Sequence, residues 1–168
     1  THSGLPTLAV NNASAVTIAS TIVHSGDSNT ISVNYPNDSA APDEANFTGT
    51  VAADSLTVGT STTAGKAKLS GSVGPTITSV TVTGGNHANE DSIATFDYAL
   101  TATDITLDDN TGSSKIIFAE DNSVTIAGTI DGASAGEGTL QLTGTLKTFF
   151  VAIGTTRIDA LDIDAAVS

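Results

Sequence analysis

The residues best suited to chemistry in this sequence are oxygen donors in short loops. Asp108-Asp-Asn-Thr-Gly112, preceded by Asp104, places side-chain oxygens at alternate positions 108 and 110, with a Gly where the chain must bend. A hard cation such as calcium takes about six to eight oxygens, and short Asp/Asn loops containing Gly supply them. Asp104, Asp108 and Asn110 are therefore the candidate calcium ligands, and the competing reading is an ordinary Asx-rich β-turn. Weaker candidates are Glu90-Asp91, Glu120-Asp121-Asn122 and Asp43-Glu44, with Asp159, Asp162 and Asp164 as a further acidic edge near the C-terminus. No complete EF-hand loop and no G-G-x-G-x-D repeat is present.

Other chemistries lack their parts. A nucleophilic triad needs a His within reach of Ser and a carboxylate. His2, His24 and His87 are the 3 histidines, none beside a G-x-S-x-G elbow, and solvated loop positions are expected for them. No His pairing has zinc-site spacing. A glycosidase needs two carboxyl groups in a cleft lined with sugar-stacking aromatics, but Trp is absent and Tyr35 and Tyr98 are the 2 tyrosines. The 5 basic residues, Lys66, Lys68, Lys115, Lys147 and Arg157, are spread along the sequence and form no cluster for an acidic sugar. The expectation is a non-catalytic chain with no catalytic residue, and calcium as the one cofactor to consider. Asn12, Asn37 and Asn46 head N-x-S/T sequons, candidate glycosylation sites near predicted loops.

Composition sets the class of partner. With 5 basic and 18 acidic residues the net charge is −13. Phosphate backbones need clustered Lys and Arg, so nucleic acid is excluded as a partner. Anionic membrane surfaces are disfavoured for the same reason, and no run approaches the roughly 18 apolar residues of a membrane span. Divalent cations and neutral or basic polymers remain, although acidity also serves simply to keep a β-rich protein soluble. Cys is absent, so neither disulfides nor thiol chemistry is in play. Met is absent too, and Thr1 is read as following a removed leader or as starting a fragment. An exported, extracellular product is the expectation.

The elements that must carry these loops are strands. Roughly one residue in six is Thr, and Thr, Val and Ile dominate every regular run. These residue types fit a pleated surface better than a helix. Apolar and polar residues alternate with period two between Gly, Asn, Asp and Ser clusters. Strands are predicted over 15–22, 30–34, 47–51, 55–58, 67–73, 77–83, 94–102, 104–107, 115–119, 123–130, 139–146, 148–153 and 158–163. Long loops are expected over 36–46 and 84–92. Residues 157–166 suit a strand or a turn or two of helix.

A repeat runs through this pattern. Phe47-Thr-Gly-Thr-Val51 precedes Leu56-Thr-Val58, Leu69-Ser-Gly-Ser-Val73 precedes Val80-Thr-Val82, and Phe96-Asp-Tyr-Ala-Leu100 precedes Ile105-Thr-Leu107. The copies lie 22 and 27 residues apart, about one coil of a stacked β-solenoid. Phe150-Val-Ala-Ile153 with Leu161-Asp-Ile163 is a candidate late copy, and Val124–Ile130 a candidate intermediate coil. The fold expected is all-β in one domain over 1–168, a parallel β-helix, with a strand-exchanging β-sandwich or jelly roll as the alternative.

The stretch Ser123-Val-Thr-Ile-Ala-Gly-Thr-Ile-Asp-Gly-Ala-Ser-Ala-Gly-Glu-Gly-Thr-Leu140, running into Gln141-Leu-Thr-Gly-Thr-Leu146, resembles the degenerate repeats of giant secreted adhesins. Phe150-Val-Ala-Ile-Gly-Thr-Thr-Arg-Ile-Asp-Ala-Leu-Asp-Ile163 does so too. That group is similar to autotransporter passenger domains, filamentous-haemagglutinin-like proteins and surface-layer proteins. The resemblance covers 47–163 and is mainly compositional. Phe150-Val-Ala-Ile-Gly154 lacks the first Gly of the group's F-x-G-x-I-G strand, and residues 1–46 carry no match. It implies a parallel β-helix at the cell surface with adhesive or structural function, and it transfers no catalytic residue. Neighbouring copies, a polysaccharide, or a host or cell surface are the partners it suggests. Two alternatives stay open. One is a fibre subunit polymerised by strand addition, with the uncharged segment 1–23 as donor strand rather than first coil. The other is a viral fibre or decoration protein.

Overall fold

The computed structural model describes residues 7–11, 14–23, 28–35, 43–71, 75–119, 124–144 and 149–164. Fourteen strands alternate between two sheets as the chain winds. One sheet stacks β1 (Thr7–Asn11), β3 (Thr30–Asn34), β5 (Ala52–Val58), β7 (Thr76–Thr83), β9 (Thr101–Asp108), β11 (Val124–Gly132) and β13 (Phe149–Ile153). The other stacks β2 (Val16–Ile18), β4 (Ala45–Phe47), β6 (Lys66–Leu69), β8 (Ser92–Phe96), β10 (Ser114–Phe118), β12 (Thr139–Thr143) and β14 (Ala160–Asp164). Every strand pairs in parallel with the strand one coil away. The fold is a β-solenoid, a parallel β-helix, with no helix among the described residues.

Period-two alternation builds its core. Each strand turns every second side chain inward, and stacking converts those positions into columns. In the first sheet Ile31, Leu56, Val80, Ile105 and Ile130 form one column and Val33, Val58, Val82 and Leu107 the next. In the second sheet Phe47, Leu69, Phe96, Phe118 and Leu142 are in register beside Ala45, Ala67, Ala94, Ile116 and Leu140. All these side chains are buried. Phe96 and Phe118 stack with ring centroids 5.6 Å apart, a separation at which aromatic pairs attract beyond the area they bury. Small Ala therefore stacks beside large Phe or Leu across the thin two-sheet interior.

The pairing carries the repeat predicted from sequence. Phe47 pairs with Leu69 and Leu69 with Phe96, the 22- and 27-residue offsets of the repeat. Leu56, Val80 and Ile105 follow in the other sheet, and Ile130 continues that column as the intermediate coil. The late copy is half a coil out of phase: β13 lies in the sheet of Leu56 and Val80, and β14 in the sheet of Phe47 and Phe96. Both sheets share one alternation, so a short apolar run does not reveal which sheet it enters.

Several boundaries differ from expectation. Residues 94–102 are not one strand: β8 ends at Phe96, Asp97 and Tyr98 make the corner, and β9 begins at Thr101 and absorbs 104–107. The strand expected over 47–51 ends at Phe47 because the coil turns there. Gly49 fits that corner only without a side chain, since a Cβ would lie 2.4 Å from the Ser20 carbonyl oxygen. Residues 160–164 are a strand and not a helical turn. β1 lies within the segment 1–23, for which a donor strand or a first coil is expected, and it pairs in parallel with β3. Residues 36–42 lie outside the described residues.

Candidate functional site

The solenoid has two corners. The one leading from the first sheet to the second runs through the turns at 59–65, 84–91, 109–113, 133–138 and 154–159, which hold His87, Glu90, Asp91, Asp109, Asn110, Glu137 and Asp159. Each turn hydrogen-bonds to its neighbours. Gly112 N donates to Gly85 O at 2.9 Å, Ser113 N to Asp91 Oδ1 at 2.9 Å, and Gly138 N to Asp109 Oδ2 at 3.0 Å. Further along, Thr156 N donates to Asp131 Oδ1 at 2.8 Å. Carboxylates here satisfy the backbone donors that each turn leaves open.

Asp104, Asp108 and Asn110 are turned to separate tasks. Asp104 stands on β9 and accepts from Thr129 N at 3.4 Å, at the point where β11 shifts register. Gly128 permits the approach, since a Cβ there would fall 2.0 Å from Asp104 Oδ1. Asn110 reaches the other way, its Nδ2 donating to Ser61 O at 2.6 Å. Asp108 ends β9, and its carboxyl is held above the usual range by burial first and by repulsion from Glu137 and Asp109 next. Asp109, between them in sequence, accepts from both Ser114 N (2.6 Å) and Ser114 Oγ (2.7 Å). This is the geometry of a capped turn. Among the described residues no three His, Asp or Glu side chains are grouped to hold a metal.

The weaker candidates separate as well. Asp91 caps Ser113, as above. Asp162 and Asp164 both approach Gln141 Nε2, at 3.1 and 3.4 Å, while Asp159 sits in the preceding turn. Glu120-Asp121-Asn122 lies outside the described residues, as do His2, His24, Asn12 and Asn37. His87 is exposed in its loop, as expected. Asn46 is in strand β4 rather than a loop, half-buried, and its Oδ1 accepts from Ser70 Oγ at 2.6 Å.

Two features were not legible in the sequence. Glu90 is buried at the turn-bearing corner, 1% exposed. Lys66 and Lys115, distant in sequence, both pair with Ile93, one from each side, and Lys68 is two residues along β6. Three of the chain's basic residues therefore share the outer face of the second sheet, where Lys68 also pairs with Asp97 at 3.0 Å. Of the two tyrosines, Tyr35 is buried and Tyr98 is partly open to solvent. No protein family, curated protein or solved structure matches the chain.

Proposed function

We propose that this chain is a rod-forming segment of an extracellular structural or adhesive protein, a cell-surface adhesin or surface layer, acting through an extended repetitive surface. One observation supports this reading above the others: uninterrupted parallel pairing from β1 to β14, which repeats the same outward positions once per coil. Ser32, Thr57, Thr81, Thr106 and Asp131 form one such row, and Ser55 Oγ donates to Thr30 Oγ1 at 3.0 Å in the neighbouring row. Rows of short hydroxyl side chains hydrate well and offer many equivalent shallow contacts. Acidic charge keeps such rods from clumping sideways.

A second reading, a self-assembling fibre subunit, is favoured by the C-terminal coil. Ile153, Leu161 and Ile163 are 44, 48 and 54% exposed there, although they continue columns that are buried elsewhere. Negative-stain electron microscopy of the purified chain separates the two. Discrete short rods, about 30 Å along the stack for strands spaced as in any sheet, favour the adhesin segment. Filaments that Ile163→Asp abolishes favour the fibre subunit. Compact particles with turnover of a polysaccharide substrate would sink both.

A further inference from the structure

Charge divides unequally between the two sheets. No strand of the first sheet contains Lys or Arg, and Asp54, Asp104, Asp108 and Asp131 stand in its strands. Lys66, Lys68 and Lys115 all belong to the second sheet, at outward positions of β6 and β10. Lys66 and Lys115 pair with Ile93 from either side, and Lys68 pairs with Thr95, whose other neighbour is Ile117. β8 therefore lies between two lysine-bearing strands. Strands β6, β8 and β10 contain no Asp or Glu. Asp97, just past β8, turns to Lys68 at 3.0 Å, and the three lysines still leave this half of the face net positive.

The same face reverses sign toward the C-terminal coil. In register with Lys68 across the sheet run Thr95, Ile117, Gln141 and Asp162. Asp164 follows on β14, and both aspartates are exposed. β12 and β14 contain no basic residue, so this half is net negative. Strands spaced about 4.8 Å apart put β14 about 14 Å from β8. A face positive at one end and negative at the other is complementary to its own copy turned end for end, about a two-fold axis parallel to the strands. With that axis between β10 and β12, β14 of each copy lies over β8 of the other. Asp162 then comes over Thr95, with Lys66, Lys68 and Lys115 around it. Asp164 falls at the rim by Asp97 and takes no part.

We propose that two copies of this chain pair side by side through the outer faces of their second sheets, the stacks running in opposite directions, with Asp162 of each seated among Lys66, Lys68 and Lys115 of the other. This goes beyond the reading above, since it holds whether or not the rod is an adhesin. The net charge of −13 opposes contact at random, and this face is where opposite charges meet at short range. Salt screens the more distant repulsion over about 8 Å at physiological strength. Four overlapping short strands cover less than the roughly 800 Å² per partner of a standard interface, so the pair is weak and concentration-dependent.

The test is sedimentation equilibrium at about 0.15 M salt, from about 10 μM to about 1 mM chain. The samples are the wild type, Lys66→Glu/Lys115→Glu, Asp162→Lys, and an equimolar mixture of the two variants. The wild type is expected to pass from monomer to dimer within that range. Each variant alone should lose at least about tenfold in dimerisation, because like charges then face each other. Asp162→Lys makes the chain less acidic, so a purely general repulsion predicts tighter pairing, the opposite result. In the mixture the new glutamates of one copy meet the new lysine of the other, and the original contact forms in the second half. Dimer should therefore return, which also shows that both variants are folded. A wild type that stays monomeric overturns the proposal, including one that binds polyuronate through the same lysines, since the face would then serve an acidic polysaccharide. Pairing retained by either variant, or no recovery in the mixture, overturns it equally.

Discussion

The interior columns and the turn-bearing corner are both vertical stacks, one coil above the next, yet they hold the solenoid by different means. Inside, Phe47, Leu69, Phe96, Phe118 and Leu142 follow one another with no directional requirement, and any apolar side chain of suitable size continues the column. At the corner, Ser92, Asp109 and Asp131 each serve particular backbone donors or acceptors in adjacent turns. The interior gains by area and tolerates exchange. The corner gains by geometry and does not, because a buried donor left unpaired costs more than the bond contributed. Repetition at the core therefore coexists with idiosyncrasy at the edge.

Removing bulk from mid-stack should have the largest effect. Phe96→Ala, fully enclosed between coils, is expected to cost about 3–5 kcal/mol. Ile163→Ala, 54% exposed on the last strand, should stay within about 0.5 kcal/mol. Urea unfolding of the two variants side by side checks this, and equal losses would mean that the terminal coil is as well covered as the middle.

Next comes the corner. Ser92 Oγ donates to Thr83 O at 2.5 Å and accepts from Gly65 N at 3.1 Å, all of it buried. Ser92→Ala deletes little area and strands both partners, so a cost of about 1–3 kcal/mol is expected. A loss well under that in the same unfolding assay would erase the distinction between geometric and area-driven stacking.

The smallest effect tests the corner's electrostatics. Burial, then Glu137 and Asp109, raise the Asp108 pKa. The folded chain thus holds that proton more tightly than the unfolded chain does. The associated stability is present below the ordinary Asp range near about 3.9 and is lost as pH rises through the raised folded value. Asp108→Asn should therefore be slightly more stable to unfolding at neutral pH, by less than about 1 kcal/mol because water screens the site, and the gain should vanish in acid. Asp131 runs oppositely. The Thr129 hydroxyl first and Thr156 N next lower its pKa, so its contribution is present at neutral pH and fades on acidification through the folded value.

How far the sequence could be read follows the same division. The repeat at 47, 69 and 96 and the V-x-V pairs that follow were legible because stacking needs like residues at like positions, and that need is written locally. The half-coil slip at 149–163 was not, since inward alternation is the same in both sheets and only the length of each corner assigns a run to one. Asp104, Asp108 and Asn110 looked like one oxygen cluster because they are neighbours in the chain. In the solenoid Asp104 bonds one coil onward to Thr129 and Asn110 two coils back to Ser61.

The sequence by itself determined an all-β chain, its parallel coil spacing, its inward-facing residues and its acidic surface, because each of these rests on period, composition or charge. The tertiary structure decided which distant residues meet. It brought Lys66 and Lys115 to either side of Ile93 and laid Glu90 against Gly85. The physical reason is that alternation within a strand is a local steric fact, whereas contact across coils depends on corner lengths that set the register, which the repeat marks at 47, 69 and 96 but does not fix at 149–163.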